Sequence, residues 1–279
     1  MREYHHLFNV NKRMYDSTVI TTYLMCPKKF EYEWIKRIVP VTKSPALIFG
    51  AIFHDALLVW YKTKDAALAA EEFKNIPKFI GDDTRTPARA RLLLDGYVKR
   101  WATEPYVIRD LEIEFHLIMA NGSIFAGRMD ALVDWMKGTY VKDHKTTRSL
   151  GLTFFRNFRP HFQLDGYCYA CRELVGDCMG AIINGIQVCK TKIDYEKKIS
   201  ARTNAELDNF PINYTLIVDK MEKDIASNTF HKNLANCGMY AGCPYKDLCI
   251  YGDDKIGARY KVQKVKELES GCTMVVDDE

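Results

Sequence analysis

From Val107 to Thr146 the chain alternates apolar and polar side chains, and this period of two constrains the fold more than any other feature. Asn121-Gly122 interrupts the alternation once and Lys137-Gly138 a second time, both suited to tight turns. The pattern predicts three antiparallel strands, Val107 to Met119, Ser123 to Trp135 and Thr139 to Thr146. Helical periodicity lies on both sides of this meander. Upstream, Ser17 to Arg37 reads as a helix capped by Asp16 or Ser17 and broken at Pro27, and Gly50 to Lys62 as a buried helix carrying His54. After a loop at 75–87, Thr86-Pro87 starts a helix that runs to about Thr103. Downstream, residues 158–175 read as a helix, Ala181 to Cys189 and Lys192 to Ser200 as strands, and Asn204 to Asn228 as a long helix. This order predicts a mixed α/β fold with a central sheet flanked by helices.

Hydrophobic residues make up 47% of the 279 and charged residues 27%, the balance of an ordinary globular protein, which excludes disorder throughout. We expect one domain over residues 1–250, followed by a polar tail at 251–279 whose last dozen or so residues are poorly ordered unless docked. The apolar run Ala46 to Phe53 is broken by Gly50 and ended by His54-Asp55, short of the roughly 20 residues a spanning helix needs. The first residues show no secretory pattern, so the expected location is inside a cell, the host cytoplasm if the chain is phage-encoded. A net charge of +4 is too small to define a polyanionic partner by itself. Nine cysteines, an odd number in a reducing compartment, favour metal ligation over a disulfide framework.

The densest chemistry lies in Gly127-Arg128-Met129-Asp130 and Val141-Lys142-Asp143-His144-Lys145. If the loop is Lys137-Gly138, or the four residues Met136 to Thr139, Tyr140 pairs with Trp135. That register sets Lys145 opposite Asp130 and Asp143 opposite Leu132, so Asp130, Asp143 and Lys145 share one sheet face. Phe125, Met129, Ala131, Val133 and Trp135 give the other face an apolar surface. Neighbouring carboxylates repel each other unless a cation lies between them, and hard oxygen ligands suit Mg²⁺ or Mn²⁺. With a lysine alongside, these are the parts for metal-assisted phosphodiester hydrolysis. A plain cross-strand ion pair between Asp130 and Lys145 accounts equally well for the spacing.

Gly127-x-x-Asp130 followed by Asp143-x-Lys145, with His144-Lys145-Thr146 around the lysine, resembles the core of the PD-(D/E)XK nuclease superfamily. Met129 stands where the superfamily's name places a proline, as is frequent in its RecB-like branch. Two further segments are similar to that branch: Gly50-Ala51-Ile52-Phe53-His54 to its histidine motif and Gln163-Leu164-Asp165-Gly166-Tyr167 to its Gln-x-x-x-Tyr motif. The resemblance implies a restriction-endonuclease-like core in which Asp130 and Asp143 hold the divalent metal with His54 as a further ligand. Lys145 would position the attacking water, and Gln163 and Tyr167, four apart on one helix face, would contact DNA or brace Lys145. Glu112 and Glu114 read as edge-strand charge.

Cys237, Cys243 and Cys249 recur in a Gly- and Pro-containing segment, a backbone suited to wrapping a compact object. Cys26 leads the candidates for a fourth ligand, over Cys168, Cys171, Cys178, Cys189 and Cys272. An early-helix cysteine with a C-terminal triplet ending Cys243-Pro-Tyr-Lys-Asp-Leu-Cys249 is similar to the cluster of RecB-like nucleases, including AddB-type subunits and CRISPR-associated single-strand exonucleases. That implies a [4Fe–4S] cluster stapling the helical N-terminal part to the C-terminal part. A structural Zn²⁺ is the chemical alternative, since it also accepts four sulfurs. Cys168-x-x-Cys171 falls inside a helix and reads as buried free thiols. The expected activity is a metal-dependent exonuclease on single-stranded DNA ends, 5′ to 3′ by resemblance, in recombination, repair, or phage or CRISPR DNA processing. The alternatives are a structure-specific endonuclease and a catalytically silent, zinc-bearing DNA-binding module. Tyr23, Tyr32, Trp34, Phe154, Phe155 and Phe158 are available for base stacking, and Lys28, Lys29, Arg148, Arg156 and Arg159 for phosphates.

Overall fold

The computed structural model describes residues 8–42, 44–79, 81–239, 242–252, 256–257, 259–267 and 273–276. They fall into two compact units: one comprises 43–114 and 128–207, the other 3–42, 115–127 and 208–279. In chain order the elements are β1 (Met14–Tyr15), α1 (Ser17–Met25), α2 (Pro27–Phe30) continued by a π turn (Glu31–Ile35), β2 (Ile38–Pro40), α3 (Pro45–Thr63), α4 (Ala66–Ala70) and α5 (Pro87–Arg100). The meander follows as β3 (Val107–Ile118), β4 (Ile124–Trp135) and β5 (Gly138–Thr147). Then come α6 (Leu152–Arg156), α7 (Phe162–Val175), β6 (Gly180–Gln187), β7 (Tyr195–Ala201), α8 (Asn204–Ala226), α9 (Lys246–Tyr251), β8 (Tyr260–Val262), β9 (Lys264–Glu267) and β10 (Thr273–Val276).

Local chemistry sets the boundaries. Asp16 caps α1 by accepting the Val19 N–H at 2.8 Å, and Cys26 leaves the helix in an extended conformation because Pro27 follows it. Thr86 accepts the Arg89 N–H at 3.2 Å with Pro87 at the first helical position of α5. The chain leaves α7 through Gly176 at φ 84, a left-handed exit that glycine makes without strain.

The central sheet runs β1-β4-β5-β6-β7, with β3 also paired to β4. β5 lies antiparallel to β4 and parallel to β6, and α6 and α7 supply the crossover a parallel pair requires. The register of the β4–β5 hairpin differs from the expected one by two residues. Trp135 pairs with Gly138, not Tyr140, and the loop is Met136-Lys137, with Met136 at φ 54. Gly138 belongs to the strand because Met179 packs over it; a Cβ there would lie 2.4 Å from Met179 Cγ. A shift of two preserves the faces, so Asp143 and Lys145 still share one.

In the first unit, Phe49, Ile52, Phe53, Ala56 and Leu57 of α3 pack with Leu93, Leu94 and Tyr97 of α5 and with Ile186 of β6. By length and composition α3 is apolar enough to cross a bilayer, unlike the shorter run expected, and its buried residues form this core. A second cluster joins Tyr106, Ala131, Val133 and Ile182 on the sheet. The expectation of one apolar and one chemical face needs correction. Lys142 and His144 are buried on the side expected to be apolar, and Leu132 and Val141 are buried on the other. Parallel pairing with crossover helices covers a sheet on both faces.

In the second unit Tyr32, Ile38, Tyr245, Leu248 and Tyr260 form the core, and β8 pairs antiparallel with β2. Three short strands, β8, β9 and β10, thus lie in the polar segment after residue 250, β9 and β10 paired antiparallel, while most of the last dozen residues lie outside the described ones. Tyr23, Tyr32 and Trp34 are buried here, as is Phe158 in the first unit, so none of the four presents a free stacking face. Lys28 and Lys29 pair with Glu31 and Glu33, and Arg159 with Glu206.

Candidate active site

The six residues singled out for catalysis or substrate contact lie in the first unit on four elements: His54 on α3, Asp130 on β4, Asp143 and Lys145 on β5, and Gln163 and Tyr167 on α7. They form two contact chains. His54 Nδ1 stands 3.5 Å from Asp130 Oδ2. Lys145 Nζ lies 3.0 Å from Asp143 Oδ1 and 2.8 Å from Oδ2, and donates to Gln163 Oε1 at 3.1 Å. Gln163 Nε2 in turn donates to the Tyr167 hydroxyl at 3.3 Å, as the four-residue spacing on a helix allows. In place of the alternative Asp130–Lys145 cross-strand pair, Lys145 pairs with Asp143, two positions apart on one strand.

Backbone geometry fixes Asp130. The β4–β5 ladder ends at Ala131 opposite Lys142, and beyond it the Asp130 carboxylate accepts the His144 N–H at 2.8 Å. The two acids are electrostatically distinct. Burial would raise the pKa of Asp130, but the charge and hydrogen bond of His54 hold it well below the usual carboxylate range. Asp143 is raised by burial and by the charge of Asp130, against the lowering effect of Lys145. Burial opposes protonation of His54, yet Asp130 outweighs it and raises the imidazole. One buried carboxylate thus raises the proton affinity of the other, the imbalance that a divalent cation would relieve.

Two carboxylates and an imidazole fit the hard-ligand chemistry of Mg²⁺ or Mn²⁺. Among the described residues no group of three or more His, Cys, Asp or Glu side chains is arranged to hold a metal ion. The acids are instead closed on Lys145 and His54. Glu112 ion-pairs with Arg128 at 3.0 Å, in keeping with edge-strand charge.

A buried polar network on the other side of β5 was not foreseen. Lys142, fully buried, donates to the Tyr61 hydroxyl and lies 3.6 Å from Glu104, which also pairs with Lys197. The Tyr61 and Tyr97 hydroxyls meet at 2.6 Å, and Asn184 Nδ2 donates to Tyr97 at 3.0 Å and to His144 Nδ1. An Nδ1 that accepts belongs to a neutral imidazole, consistent with burial and Lys142 pushing the pKa of His144 well down. The one available signal was a lysine and a histidine at alternate positions of a strand, both on its apolar side.

In the second unit the thiols of Cys26, Cys237, Cys243 and Cys249 are free. Asn233 N–H donates to Cys26 Sγ at 3.4 Å. Burial raises the Cys243 thiol, and Cys237 and Cys26 add to the rise; burial raises Cys249, with Cys243 and Cys26 adding in the same way. Cys237 and Cys243 line a cavity of about 480 Å³ together with Pro244. Four thiols suit iron–sulfur or zinc chemistry, although they do not converge at ligand distance. Of the competitors, Cys168 and Cys171 are buried in α7 as expected, Cys178 and Cys189 lie in the first unit, and Cys272 is outside the described residues.

A mixed sheet with crossover helices thus carries an Asp–Asp–Lys constellation on one hairpin. A family model described as the PD-(D/E)XK nuclease superfamily matches residues 17–250, and the chain belongs to that superfamily. Its members hydrolyse phosphodiester bonds and typically use Mg²⁺ or Mn²⁺. Among solved structures, one of a candidate exonuclease from Eubacterium rectale superposes with a TM-score of 0.54 at 13% identity, covering 88% of this chain and 95% of that one. Another, of SSO0001, aligns with a TM-score of 0.31 at 15% identity over 76% of each chain. No curated protein matches the sequence.

Proposed function

We propose that this chain is a divalent-metal-dependent DNA exonuclease of the RecB-like branch, acting on single-stranded ends with 5′ to 3′ polarity. The observation that carries this reading is the contact chain Asp143–Lys145–Gln163–Tyr167 beside the His54–Asp130 pair, within a superfamily of nucleases. Asp130, Asp143 and His54 would hold Mg²⁺ or Mn²⁺, which when bound lowers the pKa of a water and offsets charge on the phosphate. Lys145 donates to Asp143 through its ammonium group and orients the nucleophile. Gln163 fixes that ammonium by accepting from it, and Tyr167 fixes the Gln163 amide. The His144 N–H keeps Asp130 aimed, and buried neighbours exclude bulk water around Asp143. Cys26, Cys237, Cys243 and Cys249 would hold a [4Fe–4S] cluster as a structural staple.

The test uses anaerobically purified protein with end-labelled linear and circular single-stranded DNA, in Mn²⁺ or in EDTA. Linear DNA is degraded with metal and circular DNA is not; Asp143→Ala and Lys145→Ala each lose at least about 100-fold in rate. Cleavage of the circle establishes an endonuclease, and binding without cleavage under any metal establishes a silent module. Iron and acid-labile sulfide in the purified protein support the cluster, whereas zinc alone refutes it.

A further inference from the structure

Asn184 is the polar residue in the middle of β6, between Ile183 and Gly185 in a strand that is buried along its whole length. It pairs in register with His144 of β5, so the two side chains are neighbours on the face turned away from Asp143 and Lys145. Its amide nitrogen donates twice, to the Tyr97 hydroxyl at 3.0 Å and to His144 Nδ1. Its amide oxygen is buried without a partner. A half-satisfied buried amide costs stability that an apolar side chain of the same size would not, so what Asn184 supplies here is its two donors.

Those donors close a circuit of contacts that contains two of the candidate metal ligands. His144 sends its main-chain N–H to Asp130 Oδ2 at 2.8 Å, and the same oxygen lies 3.5 Å from His54 Nδ1. The His144 ring is T-shaped to the His54 ring and tilted to the Tyr61 ring, with centroids 5.7 Å apart in each case. Tyr61 follows His54 by seven residues on one face of α3, and its hydroxyl meets that of Tyr97 at 2.6 Å. The path runs from Asp130 through His144, Asn184, Tyr97 and Tyr61 and back along α3 to His54. It sets the roll of α3 against β5, and with it the approach of the imidazole to the carboxylate. We infer that Asn184 and His144 are positioning residues for the metal site: the amide locks the His144 ring, and the locked residue holds Asp130 by its main-chain N–H and His54 by ring contact. The inference rests on the proposed function at one point, that Asp130 and His54 bind the metal.

The experiment measures Mn²⁺ binding to the full-length protein without DNA, from the electron paramagnetic resonance signal of the free ion. Asn184→Leu and His144→Leu each weaken binding about 10-fold, while His144→Gln, which keeps an acceptor for the amide, stays within about threefold of wild type. The double variant Asn184→Leu/His144→Leu binds no more weakly than either single one, because the two residues act through one contact. Tyr195→Phe is the control for a merely structural effect. It deletes a hydroxyl that donates to the Leu93 carbonyl at 2.7 Å in the same core but outside the circuit, and it leaves Mn²⁺ affinity within about twofold of wild type. If Asn184→Leu fails to fold, Asn184→Ser, too short to reach both acceptors, takes its place with the same expected loss. The inference is overturned if the single variants bind within about twofold of wild type, or if their losses add in the double variant. Asp130→Ala separates the two premises. Undiminished binding there refutes the ligand reading and this inference with it, whereas loss there with none at Asn184 and His144 refutes this inference alone.

Discussion

At the scale of single residues, the candidate site and the network behind it make opposite demands on charge. Buried Asp143 is paired with one half-buried lysine, Lys145, whereas Glu104 is the carboxylate between two buried lysines, Lys142 and Lys197. Replacing Glu104 by Gln leaves both ammonium groups buried without a counterion, and unfolding in denaturant should show a loss of roughly 3–5 kcal/mol. Lys142→Met, which removes a charge and keeps the volume, should cost clearly less in the same measurement. These two classes were unequally legible. Asp130, Asp143 and Lys145 stand on one hairpin and Gln163 and Tyr167 on one helix face, so local periods group each set, while the meeting of the two sets was implied by the family resemblance alone. Glu104, Tyr61, Tyr97, Asn184 and Lys197 come from separated segments and meet through helix packing alone, which no local period encodes.

At the scale of elements, α7 braces the lysine and is itself held by an unusual cap. His161 Nδ1 accepts the Leu164 N–H at 3.4 Å, and burial, helped by the charge of Lys145, lowers its pKa to about 4. As the pH falls through 6.5 the unfolded chain takes up a proton that the folded chain refuses until about pH 4, so this histidine contributes a loss of stability across that window. Denaturation midpoints of wild type and His161→Asn, measured from pH 7 to pH 4.5, should diverge: Asn caps a helix and does not titrate, so its curve is flatter. Gly180 opens β6 at φ 139, and a Cβ there would stand 2.4 Å from the Ser200 carbonyl oxygen of β7. Gly180→Ala should therefore destabilise by about 1–3 kcal/mol, read by thermal or chemical unfolding. Element types were readable because alternation and helical periods are strong over 107–146 and 204–226. The hairpin register was not, since it turns on Met179, a residue 41 positions after Gly138 that packs on it.

At the scale of the whole molecule, the two units gather different chemistry: acids, lysine and buried network in one, the four thiols in the other. If those thiols hold a cluster, Cys249→Ser or removal of the metal should speed hydrogen exchange in α1 and α9, which carry or flank the ligands. Amides of α3 and β6 should stay protected in the same experiment, since their core belongs to the other unit.

The pairing pattern also has a kinetic meaning. β4 and β5 are joined by two residues, whereas Asp143 of β5 pairs with Ile183 of β6, forty positions on, and His54 joins Asp130 from seventy-six positions before it. Short closures form before long ones because they cost less chain entropy. The two acids should therefore meet on an early hairpin, before α3 brings the imidazole and before the crossover seals the sheet. Pulse-labelled exchange during refolding should protect the hairpin amides of Ala131 and Val133 ahead of those of Ile182 and Ile183. For an interval in its own folding, the chain would carry both acids and Lys145 on one hairpin without the imidazole of His54, a transient half-built site whose lifetime divalent cations in the refolding buffer should lengthen.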